Sequence, residues 1–559
     1  MTFESMIPPR SKSVLEVTGE VSEDFQTTEE SYLLIQPDCK YTVAKNLNDA
    51  DGNFDAILLQ SSLIGNLPKT ELVALIKDAA KKLNPKGTLI FALDNIAFAE
   101  NIMAILQGQP PKFKVTLTKT ELSDAIKEAG VTEYRSLNAS RRAGVPQQLR
   151  EISKNEPQIF EFITVATADE MPPKYLIQSV IGEKLVCAPI RIHRPNMFLT
   201  TEPNIFTAST TSDQPYRIFP KEQYENRIMI NQRVTFPTFK NGVKFFETLT
   251  EQNYLFIEEM DDHPVLWEES YKKTGYINFI GVHAIQTSTE YLADYLRQFN
   301  PHVKVFDNQL QKLLPPRDFD AEFAQENRPV KIFFGALNRD KEFNEILPVL
   351  NDFAKKYGDK LQFKILARQG LFEDLRSENK IMIGDSRIYE AQFVPYERYE
   401  RELATSDIAL LPLQDNKFNR GKSELKFLEC AACGVAALAS PVVYSDVIKD
   451  GENGFIFYDN QDFAQKLETL IENRDKRREM VTAAYEYVKH NRLMSQHYEE
   501  RLDWYKELFA KWSELTAEAQ ARIDKEAPRF KDEVPLETVQ RPYNPAGKSN
   551  QPAEIIIPV

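Results

Sequence analysis

The stretch that decides the fold is residues 419–434, NRGKSELKFLECAACG. It lies between two apolar runs, 406–413 and 435–440, which the pattern predicts to be buried strands. A strand, a helix and a second strand form a βαβ unit, in which the helix connects two parallel strands. The sequence therefore predicts an open α/β sheet, and ligands of such sheets bind at the carboxyl ends of the strands.

The same segment carries a candidate ligand site. Ser423 is placed to cap the helix and Gly434 to end it. A helix with these ends has Lys422, Lys426 and Glu429 on one face. Ammonium groups near a helix N-terminus suit a diphosphate, because the helix dipole and its free N–H groups also favour anions. A carboxylate one turn further on suits a ribose diol. The pattern fits a nucleotide-sugar donor site, and equally a solvated helix face with ordinary charges.

The segment resembles the C-terminal signature of retaining glycosyltransferases of the GT-B fold, in particular the family 4 group. In that group a Glu-x7-Glu pair precedes a glycine and an apolar strand. Glu429 matches the second glutamate, which in the family holds the donor ribose, while the first falls on Gly421 and departs from the pattern. The resemblance covers about 171–512. It implies an α/β protein with two Rossmann-like domains that face a cleft.

A second stretch resembles the donor-diphosphate site of the same family. It follows a predicted strand, 330–334, and leads into a helix that runs to about residue 356. A glycine-led turn with cations before a helix suits phosphate. Cations and a helix dipole can neutralise a leaving diphosphate, so no metal is implied. The predicted donor-binding residues are Gly335, Asn338, Arg339, Lys341, Arg420, Lys422, Ser423, Lys426 and Glu429.

The acceptor side is predicted at the end of another strand, 254–258. Asp262 and His263 follow this strand and would face the cleft as the candidate catalytic residues. They would bind an acceptor hydroxyl, or His263 would transfer a proton. The alternative is a helix N-cap with surface charge. His283 lies in an apolar run and is predicted to be a core residue, whereas His193 would line the cleft or belong to a basic surface loop.

Residues 11–170 resemble a class I methyltransferase that uses S-adenosylmethionine. Strands are predicted at 13–17, 31–35 and 54–60, helices at 69–83 and 120–129, and the turn 84–87 resembles the turn before the family's central strand. Thr18 and Glu20, however, occupy positions where that family has the glycines that let the backbone approach the cofactor. We therefore expect a degenerate Rossmann-like domain that binds no S-adenosylmethionine. If the domain were instead an active methyltransferase, Asp38 would be the acidic residue after the second strand.

The composition bounds the class of protein. A length of 559 residues suggests three or four domains, and a formal charge of −14 argues against a broad nucleic-acid surface. Four cysteines suggest a reducing compartment and no zinc site, with Cys430 and Cys433 as packing residues. The start resembles no signal peptide, and no run of 18 apolar residues occurs. We expect a cytoplasmic protein, or one that rests on the inner face of the membrane.

The predicted organisation has six parts. They are a tail at 1–10, the methyltransferase-like domain at 11–170, the acceptor domain at 171–322, the nucleotide-sugar domain at 323–488, a crossing helix at 489–521 and a disordered tail at 522–559. A further strand is predicted at 391–394, before a loop that in the family contacts the base.

Three functions fit these observations. The first is transfer of a hexosyl group from a nucleotide sugar to a glycan, lipid-linked glycan or protein acceptor, in surface polysaccharide or glycoconjugate biosynthesis. The second is a bifunctional enzyme that also methylates the sugar. The third is a non-catalytic scaffold in a polysaccharide-assembly complex, which Gly421 would fit. The presence of Lys422, Lys426 and Glu429 favours the first.

Overall fold

The computed structural model describes residues 6–21, 25–94, 109, 117–140, 159–182, 187–214, 216–323, 328–335, 339–366, 369–384 and 394–536. Within these ranges the chain forms three sheets of six strands, which follow one another along the sequence. The protein is therefore an α/β protein. No helix in the described ranges is both long and apolar enough to cross a membrane.

The first sheet belongs to the N-terminal domain. Its strands are β1 (Ser13–Val17), β2 (Lys40–Ala44), β3 (Phe54–Leu59), β4 (Leu83–Asp94), β5 (Thr132–Ser140) and β6 (Ile159–Thr167). They are arranged in the order β2-β1-β3-β4-β6-β5, and β6 runs antiparallel to both of its neighbours. The helices of this domain are α1 (Glu29–Leu33), α2 (Ser61–Ile64), α3 (Lys69–Lys81) and α4 (Lys119–Glu128).

The predicted strand at 31–35 is wrong, because this segment forms α1 and the turn after it. Tyr32 and Ile35 are the buried residues of the segment, with 0% and 9% exposure. They lie three positions apart, which is a helical and not a strand spacing. The Tyr32 hydroxyl also donates hydrogen bonds to the carbonyls of Pro8 and Ser11. The apolar run Leu33, Leu34 and Ile35 concealed this spacing in the sequence.

The second sheet is entirely parallel. Its strands are β7 (Tyr175–Ile181), β8 (Ile205–Thr211), β9 (Asn226–Gln232), β10 (Tyr254–Met260), β11 (Ala284–Thr287) and β12 (Val303–Val305), in the order β12-β11-β10-β9-β7-β8. The α-helices of this domain are α5 (Arg194–Leu199), α6 (Phe239–Glu251), α7 (Glu268–Lys273), α8 (Ile277–Ile280) and α9 (Glu290–Leu296), and the π-helical turn Pro189–His193 precedes α5. His283 is buried here, as predicted, and burial lowers its pKa to about 3.

The third sheet is also parallel. Its strands are β13 (Val330–Phe334), β14 (Leu361–Leu366), β15 (Lys380–Ile383), β16 (Ile408–Leu411), β17 (Ala436–Ala439) and β18 (Phe455–Ile456), in the order β15-β14-β13-β16-β17-β18. The helices from the preceding linker onward are α10 (Phe319–Phe323), α11 (Asp340–Tyr357), α12 (Gln369–Asp374), α13 (Tyr396–Ala404), α14 (Lys417–Arg420), α15 (Leu425–Ala432), α16 (Asn460–Glu472) and α17 (Arg474–Asn491). The strand predicted at 391–394 lies outside the described residues except for Val394, which is in no strand.

Two helices, α18 (Met494–Ala510) and α19 (Trp512–Glu526), replace the single crossing helix predicted at 489–521. Tyr498, Leu502 and Tyr505 of α18 pack with Ile177 and Ile230 of the second sheet. Helix α19 continues past the predicted boundary and is followed by more packed chain. The prediction that 522–559 is disordered is therefore wrong for 522–536, while 537–559 lies outside the described residues.

Candidate active site

The loop after β16 meets the loops that follow β10 and β12. The Lys422 Nζ lies 3.0 Å from the Asp262 Oδ1, and the Asn308 Nδ2 donates to the Ser423 Oγ at 2.7 Å. Asp262 follows β10 and Asn308 follows β12, whereas their partners Lys422 and Ser423 follow β16. The carboxyl ends of the second and third sheets therefore face each other. This is the edge at which ligands of open α/β sheets bind.

Gly421 lies where the two domains touch. A Cβ atom at this position would lie 2.9 Å from the Leu292 Cδ2 and 3.0 Å from the His263 Cβ. The Leu292 Cδ2 is the end of a flexible side chain and can shift, whereas the His263 Cβ would have to give by a few tenths of an ångström. The resembling family has its first glutamate at this position. A side chain there would crowd the second domain.

Glu429 is a buried carboxylate on α15 with 4% exposure. The Tyr399 hydroxyl donates to its Oε2 at 2.9 Å, and the Lys426 Nζ lies 3.0 Å from the same oxygen. The Lys426 ammonium also lies over the Tyr399 ring, 4.0 Å from its centroid. These contacts hold the carboxylate in one orientation, beside a cation.

Ser423 does not cap a helix, which corrects the prediction. Helix α15 begins at Leu425, and its N-cap is Glu424, which makes no side-chain capping bond. Ser423 instead accepts the hydrogen bond from Asn308, and Glu424 forms an ion pair with Arg492. A contact with the second domain thus takes the hydroxyl that the sequence pattern assigned to the cap. Gly434 does follow the end of the helix, with φ +64.

Lys422 is consequently not on α15, and it does not share a helix face with Lys426 and Glu429 as predicted. It follows the short helix α14, which is capped by Asn416 through a 2.9 Å bond from the Asn419 backbone N–H. Its ammonium lies 4.3 Å from the centroid of the Phe418 ring and is directed toward Asp262.

Arg339 precedes α11 and contacts the segment that follows β16. Its Nη1 donates to the Asn419 Oδ1 at 3.3 Å and lies 3.6 Å from the Glu342 Oε1. The bond to Asn419 places Arg339 beside α14, in the segment that leads from β16 to α15.

The other predicted donor residues are distributed differently. Arg420 is exposed and binds Asp415, with Nη2 2.8 Å from Oδ2, so it does not join Lys426 and Arg339. Lys341 is exposed on the first turn of α11. Gly335 follows β13 and lies against the Phe333 ring, where a Cβ would lie 2.3 Å from Cε1. Asn338 lies outside the described residues.

Asp262 belongs to a charged cluster with Arg233. The Arg233 Nη1 lies 3.1 Å from the Asp262 Oδ2, 3.5 Å from the Asp261 Oδ1 and 3.1 Å from the Cys187 Sγ. Arg233 has φ +54, and its guanidinium lies 4.7 Å from the centroid of the Trp267 ring. Burial and the neighbouring Asp262 raise the pKa of Asp261 to about 6, although Arg233 opposes the shift.

His263 caps the short turn Pro264–Leu266. Its Nδ1 accepts a hydrogen bond from the Val265 N–H at 3.1 Å, so a neutral ring carries its proton on Nε2. The ring centroid lies 4.6 Å from that of Tyr295. Burial, and then the positive charge of Lys417, lower the pKa of His263. This is the capping geometry that the sequence offered as the alternative to proton transfer.

Arg191 is a residue that the sequence analysis missed. It is 1% exposed, and its Nε lies 2.7 Å from the Glu259 Oε1. It also donates to the Asn308 Oδ1 at 2.8 Å and to the carbonyls of Thr287 and Phe306. One guanidinium therefore ties together the ends of β10, β11 and β12. The only signal in the sequence was a basic run at 191–194, which does not distinguish a buried arginine from a surface loop.

The same run holds His193 and Arg194. His193 is half-buried, and burial lowers its pKa. The Arg194 guanidinium lies 4.5 Å from the centroid of the Tyr396 ring on α13, which makes another contact between the second and third domains. The described residues contain no group of three or more histidine, cysteine, aspartate and glutamate side chains that could hold a metal ion.

Residues 352–504 match a family model described as glycosyl transferase-like. The match covers Tyr399, Lys422, Lys426 and Glu429, whereas Arg339 precedes it. It supports the prediction of a glycosyltransferase in this part of the chain. No curated protein matches the chain.

Solved structures similar to the chain include a glycosyltransferase from Rickettsia africae, with 13% identity over 60% of this chain and 98% of that one, and a TM-score of 0.43. Sucrose-phosphate synthase from Thermosynechococcus elongatus has 10% identity over 60% and 99%, with a TM-score of 0.45. HepE from Anabaena, solved with UDP and glucose, has 12% identity over 59% and 98%, with a TM-score of 0.42.

Proposed function

We propose that the protein is a glycosyltransferase that moves a hexosyl group from a nucleotide sugar to a glycan, a lipid-linked glycan or a protein, in surface polysaccharide or glycoconjugate biosynthesis. The observation that carries the proposal is the fixed, buried carboxylate of Glu429 beside Lys426. Both lie within the segment that matches the glycosyl transferase-like model. The expectation of retained stereochemistry rests on the family resemblance alone.

The donor would bind at the carboxyl edge of the third sheet. Glu429 would accept hydrogen bonds from the ribose hydroxyls, because Tyr399 and Lys426 already hold its carboxylate in place. Arg339 and Lys426 would face the diphosphate, which gains negative charge as the glycosidic bond breaks. Cations that are already in position stabilise this charge more in the transition state than in the ground state. We therefore propose a reaction that needs no metal ion.

The acceptor would enter from the second sheet. Asp262 lies opposite the donor side at the end of β10, held by Arg233, and its carboxylate can accept a hydrogen bond from an acceptor hydroxyl. His263 lies beside it, with Nε2 left for a ligand because Nδ1 caps the Pro264–Leu266 turn. The pair would orient the hydroxyl that attacks the sugar.

We propose that the N-terminal domain binds no S-adenosylmethionine. The Glu16 carboxylate at the end of β1 already accepts bonds from the Tyr41 hydroxyl and the Gln60 amide, each at 2.7 Å. The loop after it lies against α2, so that a Cβ at Gly19 would lie 3.0 Å from the Leu63 Cα. Both observations support a structural role for this domain. Micromolar binding of S-adenosylmethionine in a calorimetric titration would instead support the bifunctional enzyme.

A non-catalytic scaffold is the second candidate. The observation that favours it is the contact of Gly421 with His263, which closes the cleft at one point and would crowd the glutamate of the resembling family. A scaffold would have no reason to keep Glu429 buried beside a cation, so donor binding separates the two candidates.

The experiment is a panel of nucleotide sugars and nucleoside diphosphates scored by thermal shift on the full chain. We expect nucleotides of one base to raise the melting temperature. Glu429→Gln should then weaken nucleotide binding by about 1–3 kcal/mol, the typical cost of losing the hydrogen bonds of a charged group. Glu472→Gln is the matched control, because the exposed Glu472 also accepts a bond from a tyrosine hydroxyl, that of Tyr357, at 2.7 Å. A panel in which no nucleotide shifts the melting temperature would support the scaffold.

A further inference from the structure

The ion pair between Lys422 and Asp262 bridges the two facing domains. Its atoms are 3.0 Å apart, and the side chains are only 26% and 15% exposed. Screening by salt is therefore weaker than for a surface pair. Lys422 lies in the loop that leads into α15, the helix that carries Lys426 and Glu429. The Lys422 ammonium is thus already bound to a carboxylate of the opposite domain.

The Lys422 ammonium is directed toward the Asp262 carboxylate, so it cannot at the same time be directed toward a donor diphosphate. We propose that Asp262 competes within the molecule for Lys422, and that the diphosphate of the donor takes Lys422 from it. This inference rests on the donor site proposed above and adds Lys422 to the cations that would face the diphosphate. It goes beyond that site because it assigns a second role to Asp262.

Arg233 makes the exchange feasible. Removing one member of a buried ion pair is costly when it leaves the other charge without a partner. Asp262 keeps the Arg233 Nη1 at 3.1 Å from its Oδ2 when Lys422 leaves its Oδ1. A diphosphate also carries more negative charge than one carboxylate, and it forms strong charge-assisted hydrogen bonds with lysine and arginine. Lys422 therefore gains a better partner, and Asp262 does not become an isolated buried charge.

The two oxygens of Asp262 have different partners. Oδ1 faces Lys422 and Oδ2 faces Arg233. After the exchange Oδ1 loses its contact with Lys422 and can accept a hydrogen bond from a hydroxyl of the acceptor.

The neighbours of Lys422 link this exchange to the domain interface. Gly421 lies against His263, and Ser423 accepts the bond from Asn308. Three consecutive residues of one loop thus touch the second domain. A displacement of Lys422 by the donor would act directly on this contact.

The test is calorimetric titration of the full chain with the nucleoside diphosphate that the panel selects. Asp262→Asn removes the competing charge and keeps the size of the side chain. If Lys422 is held by Asp262 for roughly nine-tenths of the time, its release should tighten nucleotide binding about tenfold. Lys422→Ala should weaken binding, and Asp262→Asn should bring no gain in the Lys422→Ala background. Asp415→Asn is the matched control, since it breaks the exposed pair with Arg420 in the same loop without touching the second domain.

Unchanged or weaker binding in a folded Asp262→Asn variant, together with weaker binding in Lys422→Ala, would overturn the competition and leave the donor site intact. An equal gain in nucleotide affinity in Asp262→Asn and Asp415→Asn would also overturn the competition, because the gain would then come from the change in overall charge. Asp262→Ser provides a second variant if Asp262→Asn does not fold. Failure of the wild type to bind any nucleoside diphosphate would overturn the donor site, and the competition with it.

Discussion

Gly421 and Glu429 lie eight positions apart, and their surroundings impose opposite requirements. Gly421 needs the absence of a side chain because the second domain lies against it, whereas Glu429 needs a carboxylate because Tyr399 and Lys426 bind it. The sequence could single out Glu429 as a candidate, since a glutamate on an apolar helix is visible as a pattern. It could not explain Gly421, because the atoms that would crowd a side chain there come from residues 263 and 292.

Gly421→Ala should loosen the contact between the second and third domains. The added methyl group would lie 2.9 Å from Leu292 and 3.0 Å from His263. Overpacking of this kind typically costs about 1–3 kcal/mol. Thermal unfolding should show a lower melting temperature. Gly370→Ala is the control, because nothing lies within 4 Å of its added atom. Equal melting temperatures for the two variants would contradict the contact.

Glu258 gives a prediction about pH. It is fully buried in β10, and burial raises its pKa well above the usual value of 4.5. Glu258 therefore keeps its proton in the folded state at pH values at which it has lost it in the unfolded state. The free energy of unfolding should decrease as pH rises above the pKa of Glu258 in the unfolded state, until Glu258 also ionises in the folded state.

Glu258→Gln removes this titration while keeping the shape and the hydrogen bond with Asn231. The melting temperature of the variant relative to the wild type should therefore increase from about pH 5 to about pH 8. Melting curves at several pH values measure the difference. A difference that stays constant over this range would show that Glu258 ionises normally in the folded protein.

At the scale of elements, periodicity succeeded where a helix or strand is long and has one buried face. The helix predicted at 69–83 is α3, Lys69–Lys81, with buried Leu72 and Ile76. It failed at 31–35, where consecutive apolar residues hid a helical spacing. It also failed at the start of α15, because Ser423 binds Asn308 of the second domain and Glu424 pairs with Arg492 instead of capping the helix. A pattern along the chain contains no information about such long-range partners.

The segment after α19 is a further element that composition misjudged. Proline and charge suggested disorder from residue 522, yet the Phe530 ring stacks on Phe239 with centroids 4.4 Å apart. Phe530→Ala should destabilise the second domain, since an aromatic pair contributes about 0.5–1.5 kcal/mol beyond its buried area. Melting curves provide the measurement, with Val534→Ala, at a residue 78% exposed, as the control. Identical curves would mean that this segment contributes nothing to stability.

At the scale of the whole molecule, three α/β domains follow from the sequence, but their contacts do not. The N-terminal domain reaches the linker and the crossing helix directly: the Leu313 N–H donates to the Leu34 carbonyl at 2.9 Å, and the Ser495 hydroxyl donates to the Ile35 carbonyl at 2.6 Å. It therefore braces the region where the second and third domains are joined. This agrees with a structural role for a domain whose Glu16 carboxylate is already occupied.

The central claim is that cations of the third domain, without a metal ion, hold the diphosphate of a sugar donor. The most direct measurement is kcat with the identified donor and acceptor for the wild type and Arg339→Ala, each with and without EDTA. Removal of one preorganised group that stabilises charge in the transition state typically lowers kcat about 10²–10³-fold. We predict such a loss in Arg339→Ala, no loss in the exposed control Arg401→Ala, and no effect of EDTA on the wild type. A near-normal kcat in Arg339→Ala, with activity abolished by EDTA, would contradict the account.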